Sequence, residues 1–325
     1  MTAKIEQLIT GDPALKGALP PDFIYAGSTA AFQIEGSPNA DGKGPSVWDR
    51  LLHGPKPDGG EWDNGDVACD SYVRWREDLA VLKAMGANAY RFSISWPRII
   101  PDGHATTAPN AAGIAHYAEM VDAVVDAGLA PVVTLFHWDI PAALDDAYGG
   151  FDSEKIIPDF VAYARVVFTA FPKVKHWITI NEPFIWTLAN AAVLKPEGWN
   201  DDKWADYVRH MLLAHAAVVD MYRREFGPGQ IGISLNMDWV VPIDDSHQAK
   251  TATQDIIDHW LGMAVMDGVD VGAYMAWSLL DNLEWSNGFG PRFGITAVGP
   301  APEFKRTPKD SAYLLRRVFE HLIRK

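Results

Sequence analysis

Short apolar runs alternate with amphipathic, alanine-rich segments along most of this chain, and that alternation limits the folds open to it. The runs are residues 23–36, 87–96, 129–138, 176–183, 230–236 and 271–282. Each run after the first follows a segment whose apolar residues recur with helical spacing. Nearly continuous apolar strands separated by helices are typical of a parallel sheet that is covered by helices. We therefore predict an α/β fold.

Glycines mark the predicted ends of four helical segments. They are Gly86, Gly128, Gly227 and Gly268. Glycine is favoured just after a helix because it adopts the left-handed backbone conformation that closes the last turn without a steric penalty. These positions support the alternation of helices and strands.

Chemically active residues occur where successive predicted strands end. They are Arg91, His137, Trp138, Asn181, Glu182, Asn236, Glu284 and Trp285. Polar groups at the carboxyl ends of parallel strands are typical of the mouth of a TIM-type barrel. A doubly wound sheet is the competing fold, but no glycine-rich phosphate loop follows the first strand. Six βα units are convincing where a complete barrel has eight, so we predict an incomplete TIM-type (β/α) barrel.

The length and composition fit one large domain. The chain has 325 residues, of which 48% are hydrophobic, and this is enough to build a sizeable core. We predict an N-terminal extension over residues 1–22 and a single incomplete barrel domain over residues 23–325.

Charge and cysteine content exclude several classes of function. The net charge of −14 argues against nucleic acid or an anionic membrane as a partner. Cys69 is the only cysteine, and no His, Cys and Asp residues show the spacing of metal ligands, so we expect no disulfide, metal or cofactor. The first residues do not resemble a secretory signal, and no apolar stretch is long enough to span a membrane. We expect a cytoplasmic protein.

Motifs spread from Phe23 to the end of the chain resemble those of family 1 glycoside hydrolases, the β-glucosidase family. They read STAAFQIEG, GDVACDSY, YRFSISWPRI, LFHWDIP, TINEP, GISLNMDWVVPIDD, DGVDVGAYMAWSLLDNLEW, RFGI and TPKDSA, and they follow the family order. The family usually has His after the Asp of ACDSY, whereas this chain has Ser71. The resemblance implies a β-glucoside or glucose as ligand.

The resemblance also implies roles for individual residues. Glu182 would be the general acid/base, which must hold a proton near neutral pH. Arg91 would lie beneath the nucleophile and keep it ionised. The residues that would bind the sugar are Gln33 and His137, with Trp138 and Asn181 helping, Glu284 and Trp285 at the far hydroxyls, and Trp277 as an apolar platform under the ring.

The nucleophile motif of that family is missing from the sequence. In the family, the nucleophile lies in an Ile/Val-Thr-Glu-Asn-Gly segment on the seventh strand, and this chain contains no Thr-Glu-Asn-Gly. The Asn-Tyr-Tyr segment that the family has on its sixth strand is also absent. Glu284 is followed closely by Asn-Gly, but it belongs to the eighth-strand sugar motif. The family pattern runs to PIDDSHQAKTAT and resumes near DIIDHWLGMAVMDGVDVGAY, so a block containing both strands is absent.

Two functions compete. The first is a sugar-binding or accessory protein that hydrolyses poorly, because a retaining glycosidase needs two carboxylates. The second is a working β-glucosidase that uses a substitute carboxylate or is active only in an assembly. The candidates for that carboxylate are Glu35, Asp139, Asp238 and Glu284. A decayed copy without either role is disfavoured because the sugar motifs remain readable.

Loss of two strands would leave a gap with two exposed strand edges, which readily pair with another chain. Residues 244–258 are the only segment able to cover such a gap. A monomer with a covered gap, a self-paired dimer and docking onto a complete β-glucosidase are all compatible with the sequence.

Overall fold

The computed structural model describes residues 6–236 except residue 8, residues 272–324, and the single positions 246, 248 and 251. Each predicted apolar run contains a strand. The strands are β1 (Ile24–Ser28), β2 (Ala89–Ser93), β3 (Ala130–Phe136), β4 (His176–Asn181), β5 (Gln230–Ser234) and β6 (Ala273–Trp277). The first run is shorter as a strand than predicted, because residues 31–34 form a helical turn.

The six strands form one sheet in which neighbouring strands run parallel. Their order is β5-β4-β3-β2-β1-β6, so the last strand of the sheet pairs with the first. The sheet curls into a half-barrel, and the prediction of an incomplete TIM-type barrel is confirmed. The domain boundary at residue 23 stays a prediction.

Helices connect the strands and cover the outer face of the sheet. In the described part of the chain they are α1 (Ala31–Ile34), α2 (Val47–Leu52), α3 (Ser71–Ala84), α4 (Trp96–Ile99), α5 (Ala111–Asp126), α6 (Ala142–Tyr148), α7 (Ile156–Ala170), α8 (Pro183–Ala189), α9 (Asp201–Glu225) and α10 (Asp310–Leu322). A short antiparallel hairpin of β7 (Thr296–Val298) and β8 (Arg306–Pro308) precedes α10. No helix among the described residues combines the length and the apolarity needed to cross a bilayer.

The sequence signals at helix ends work as expected. Asn110 and Asn200 accept hydrogen bonds from the first turns of α5 and α9, which satisfies backbone N–H groups that lack a helical partner. Gly86, Gly128 and Gly227 all have positive φ angles after their helices. Gly268 lies outside the described residues.

The main core lies between the sheet and the helices. Its largest fully buried side chains include Trp96, Tyr163, Phe160 and Trp186. A smaller apolar cluster lies on the inner face of the curl and is built around Ala26, Ala89 and Val132. The two faces explain why the strands read as nearly continuous apolar runs, since both sides are buried.

The two edge strands differ from the inner ones. Every residue of β5 is at least partly exposed, and Tyr274 of β6 is 45% exposed, whereas six of the seven residues of β3 are buried. The exposure follows from position, because no described strand pairs with the outer edge of β5 or of β6. The predicted covering segment, residues 244–258, lies outside the described residues apart from its isolated positions 246, 248 and 251.

Candidate active site

The carboxyl ends of the strands bring the predicted site residues together. Gln33 lies in α1 just after β1, His137 and Trp138 directly follow β3, and Asn181 ends β4. Trp277 ends β6, and the loop after it carries Glu284 and Trp285. Arg91 lies inside β2 and reaches Asn181. Each of the nine predicted site residues contacts another one or directly adjoins it in sequence, so they form one network.

Gln33 and Glu284 are joined by a hydrogen bond on one side of the predicted site. The Gln33 Nε2 donates to the Leu283 carbonyl at 2.7 Å, to Asn282 Oδ1 at 3.1 Å and to Glu284 Oε2 at 3.3 Å. Both side chains are buried, yet Gln33 Oε1 and Glu284 Oε1 have no hydrogen-bond partner among the described residues. Buried polar atoms without partners are rare in native proteins, and a bound hydroxyl group would satisfy these two.

Arg91 determines the orientation of the Asn181 amide. A guanidinium can only donate, so the Asn181 oxygen that receives the Arg91 Nη2 hydrogen bond must be Oδ1. The Asn181 Nδ2 then donates to His137 Nε2 at 3.1 Å and to Glu182 Oε2 at 3.2 Å. One amide group thereby positions both the imidazole and the carboxylate.

This orientation also determines the tautomer of His137. Burial, followed by the charge of Arg91, holds the pKa of His137 well below its usual range, so the ring is neutral. Because Nε2 accepts the hydrogen bond from Asn181, the proton lies on Nδ1. The Nδ1 atom is buried and has no partner among the residues that the structure describes. It is a free donor suited to a hydroxyl oxygen.

Glu182 lies at the sharp turn between β4 and α8. Its φ and ψ angles are 46° and 65°, and Pro183 begins the helix. Its backbone N–H donates to the Ser234 carbonyl at 2.8 Å, which ties the turn to β5. Trp138 and Trp285 also have positive φ angles, of 74° and 53°. Such strained conformations in residues other than glycine cluster at functional sites, where the surrounding structure holds them.

Aromatic rings form the wall of the site. Trp285 packs against Trp48 and Trp138 with ring centroids 4.9 and 4.8 Å apart, and it stacks on Phe32 at 5.9 Å. Trp277 stacks on His137 at 5.5 Å and is 37% exposed. An exposed indole face beside unpaired polar atoms suits a ligand that has both hydroxyl groups and an apolar CH surface.

The four substitute carboxylates differ in their surroundings. Glu35 forms an ion pair with Arg98 at 2.7 Å and accepts from Tyr117, so it is already occupied. Asp139 is 1% exposed, and burial raises its pKa well above the usual range. Asp238 lies outside the described residues. Glu284 belongs to the predicted site network, and its Oε1 has no hydrogen-bond partner among the described residues.

The titration of Glu284 should make stability depend on pH. Burial raises its pKa to about 7, and the hydrogen bond from Gln33 offsets part of that rise. The folded carboxyl thus keeps its proton up to about pH 7, whereas the unfolded chain releases it near the ordinary value of 4.5. The contribution to stability is full below pH 4.5 and falls as the pH rises to about 7.

We therefore expect the free energy of unfolding of the wild type, relative to Glu284→Gln, to decline between pH 4.5 and about 7 and then to level off. Denaturant titrations of both proteins across this range measure the difference. A difference that stays constant or rises with pH contradicts the raised pKa.

Three neighbours of the site were not singled out from the sequence. Trp48 packs under Trp285, Asn282 accepts from Gln33, and the Ser234 hydroxyl lies 3.5 Å from Arg91 Nη2. Asn282 and Ser234 lie inside the motifs LLDN and GISLN, so a search of every polar residue in those motifs could have found them. Trp48 lies outside the quoted motifs and had no such signal.

Comparison with known proteins agrees with this geometry. The profile of Glycosyl hydrolase family 1 matches the chain in two parts, residues 15–263 and 257–322. Beta-glucosidase 24 of Oryza sativa subsp. japonica is 38% identical over 291 residues, which cover 84% of this chain and 58% of the relative. Beta-glucosidase 1B of Phanerodontia chrysosporium is 42% identical over 278 residues, which cover 80% and 51%. The chain spans about half the length of these curated relatives.

Solved structures share the fold. A β-glucosidase from Trichoderma harzianum superimposes with a TM-score of 0.85 at 29% identity, in an alignment that covers 97% of this chain and 100% of that one. A GH1 β-glucosidase from Humicola insolens in complex with glucose gives a TM-score of 0.83 at 31% identity, with 95% and 99% covered. The half-barrel, the site residues and these matches lead to one conclusion: the chain belongs to glycosyl hydrolase family 1.

Proposed function

We propose that this protein is a β-glucosidase-like sugar-binding protein that keeps a glucose pocket and the acid/base Glu182 but lacks the catalytic nucleophile. It would act as an accessory to an active β-glucosidase, with little or no hydrolysis of its own. The observation that carries the proposal is a set of buried polar atoms in one network that have no partner among the described residues, namely Gln33 Oε1, His137 Nδ1 and Glu284 Oε1. They leave donors and acceptors for sugar hydroxyls.

Two observations support the absence of the nucleophile. The sequence contains no Thr-Glu-Asn-Gly segment. The family profile matches in two parts that meet near residue 260, as expected if a block of the family pattern is missing there. Without a nucleophile the covalent route of a retaining glycosidase is closed.

Glucose is the proposed ligand for a chemical reason. A pyranose presents hydroxyl groups at its rim and CH groups on its faces. The hydroxyl groups at the rim would hydrogen-bond to Gln33, His137 and Glu284. The CH groups of one face would pack on the exposed side of Trp277. The relatives named above are β-glucosidases, and one of them was solved in complex with glucose.

We expect the purified protein to hydrolyse an aryl β-glucoside on the order of 10⁴-fold or more slowly than a complete β-glucosidase, because the loss of a nucleophile removes a step rather than weakening one. Release of the aryl alcohol is measured for the wild type, Glu182→Gln and the control Glu197→Gln. Glu197 is exposed and lies outside the site motifs. Any residual rate should be the same in all three proteins.

Two further measurements complete the test: glucose binding by the protein, and its effect on the rate of an active β-glucosidase. Quenching of tryptophan fluorescence should report glucose binding by the wild type and by Glu197→Gln. An active β-glucosidase assayed with and without this protein should change its rate if the accessory role is right. Absence of glucose binding would contradict the proposed sugar-binding role. An unchanged rate in the mixture would contradict the proposed accessory role.

The second candidate is an active β-glucosidase in which Glu284 replaces the missing carboxylate. The unpaired Oε1 and the pKa of about 7 favour it, since a base with that pKa is half ionised near neutral pH. Turnover that is abolished by Glu182→Gln and by Glu284→Gln, but not by Glu197→Gln, would establish this candidate and reject the first.

Association through the strand edges is part of the first proposal. The outer edges of β5 and β6 have no paired strand among the described residues, and unpaired backbone groups favour pairing with another chain. The partner would be a second copy of this chain or a complete β-glucosidase. Light scattering of the protein alone and in the mixture distinguishes the two, and a monomer in both would argue against association.

A further inference from the structure

A cavity of about 630 Å³ lies beside the predicted site and is separate from it. It lies where residues 62–69 meet the loop after β6 and the hairpin of β7 and β8. Asn282 lines it and also accepts the hydrogen bond from Gln33, but none of the nine predicted site residues lines it. Its volume falls within the range of about 300–1,000 Å³ that is typical of small-molecule sites.

Specific contacts hold the walls of this cavity together. Asp63 Oδ2 accepts from the Phe289 backbone N–H at 3.1 Å, which joins two of the walls. Gly288 has a φ angle of 63°, and a Cβ atom there would lie 2.0 Å from Asp63 Oδ2, so this close approach requires glycine. The buried Cys69 thiol donates to the Asp281 carbonyl at 3.2 Å. The cavity therefore has preformed walls, as small-molecule sites usually have.

Aromatic side chains supply the apolar part of the lining. Phe289 is 43% exposed, and Trp62 and Phe304 are half-buried. Trp62 Nε1, which can only donate, is buried and has no hydrogen-bond partner among the described residues. Such an atom is rare in a native protein, and a ligand oxygen in the cavity would satisfy it.

The charges at the cavity balance one another. Asp281 is paired with Lys309 at 2.7 Å. Asp63 and Arg292 are exposed, opposite in charge, and form no ion pair within the described part of the chain. A neutral ligand is therefore favoured over an anion or a cation. It should both donate and accept hydrogen bonds, because Asp63 can only accept and Arg292 can only donate.

We propose that this cavity is a second binding site, for a neutral carbohydrate. Sugar hydroxyl groups would donate to Asp63 and accept from Arg292 and Trp62 Nε1, and the CH groups of a ring would pack on Phe289. A flat aromatic molecule would fill the apolar part but would leave these polar groups without partners. The inference goes beyond the proposed function, because it places a ligand outside the predicted glucose pocket.

The probe is thiocellobiose, a glucose disaccharide whose sulfur linkage resists hydrolysis. Isothermal titration calorimetry in the Trp277→Ala background gives stoichiometry and affinity, since this variant weakens the predicted glucose pocket. Phe289→Ala and Trp62→Phe are each added to that background, and melting temperatures verify that the proteins fold. Tyr313→Ala is the control, because Tyr313 is an aromatic residue of α10 that is 48% exposed and does not line the cavity.

We expect one thiocellobiose per chain in Trp277→Ala. Phe289→Ala should weaken binding about fivefold through the lost stacking surface. Trp62→Phe should also weaken it about fivefold, because it keeps an aromatic ring and removes the N–H donor. Tyr313→Ala should leave the affinity unchanged. If Phe289→Ala does not fold, the Trp62→Phe titration decides.

The inference is overturned if Trp277→Ala binds no thiocellobiose, or if Phe289→Ala and Trp62→Phe bind it as tightly as their background does. An equal loss in Tyr313→Ala also overturns it, because binding would then not be specific to the cavity. If 4-methylphenol binds with the expected sensitivity to Phe289→Ala and thiocellobiose does not, the cavity accepts aromatic molecules rather than sugars. Absence of glucose from the predicted pocket would leave this titration unchanged, so the two failures are distinguishable.

Discussion

Replacing Arg98 by methionine is expected to lower the free energy of unfolding by about 3–5 kcal/mol. Arg98 Nε donates to Glu35 at 2.7 Å, and its Nη2 donates to the carbonyls of Gly36 and Ser37 at 2.7 and 3.2 Å. The Arg98 side chain is 1% exposed and that of Glu35 is 10% exposed. The variant would leave a buried carboxylate without its counter-charge, which is the costly way to break a buried pair.

Denaturant unfolding followed by tryptophan fluorescence measures this effect. Arg165→Met is the matched control, because its ion pair with Glu225 is exposed on both sides and should contribute within about 0.5 kcal/mol. The double variant Arg98→Met/Glu35→Gln should recover part of the loss, since no unpaired charge remains. A loss of less than about 1 kcal/mol for Arg98→Met would show that water or another group solvates Glu35 in the fold.

The same variant should also disturb the site. Glu35 directly follows α1, which carries Gln33, and it holds the end of that helix against Arg98 and Tyr117. Loosening this end would move Gln33 relative to Glu284, to which it donates. Glucose binding, if it occurs as proposed, should therefore weaken in Arg98→Met even at temperatures where the protein stays folded.

Replacing Trp285 by alanine is the second change with a large expected effect. Trp285 is 9% exposed and packs between Trp48, Trp138 and Phe32. Removal of a buried tryptophan leaves a cavity and costs about 3–5 kcal/mol. Glucose binding should be lost as well, because His137 lies 6.0 Å from the Trp285 ring and Glu284 precedes it in the chain.

Trp277→Ala separates packing from ligand binding. Trp277 is 37% exposed, so its removal should cost clearly less stability than that of Trp285. Its exposed face is the proposed platform for the sugar ring, so glucose binding should fall in both variants. Unfolding curves and fluorescence titrations measure the two effects. Equal losses of stability, or unchanged binding in Trp277→Ala, would contradict the assignment of these rings.

The strands and the family could be predicted from the sequence because their signals are local. Each apolar run marks a strand, and Gly86, Gly128 and Gly227 close helices through their own backbone conformation. The first run is longer than the strand it contains, because residues 31–34 form α1 within a buried, mainly apolar stretch. Periodicity alone does not separate a short buried helix from a strand.

The residues of the site could be named from ordered motifs, but their contacts could not. The hydrogen bond between Gln33 and Glu284 joins residues that are 251 positions apart in the sequence. The hydrogen bond between Arg91 and Asn181 joins residues that are 90 positions apart. No local pattern specifies which amide oxygen faces which guanidinium. That choice follows from the parallel order of β2, β3 and β4, which places the ends of these strands side by side.

By itself the sequence determined the alternating α/β pattern, the membership in a sugar-hydrolase family and the absence of a Thr-Glu-Asn-Gly segment. The tertiary structure alone decided that β6 closes on β1 and that the edges of β5 and β6 carry no paired strand among the described residues. It also decided which polar atoms of the candidate site have no hydrogen-bond partner among the described residues. The physical reason is that helix and strand signals act over a few residues, whereas pairing and burial depend on which distant segments pack together.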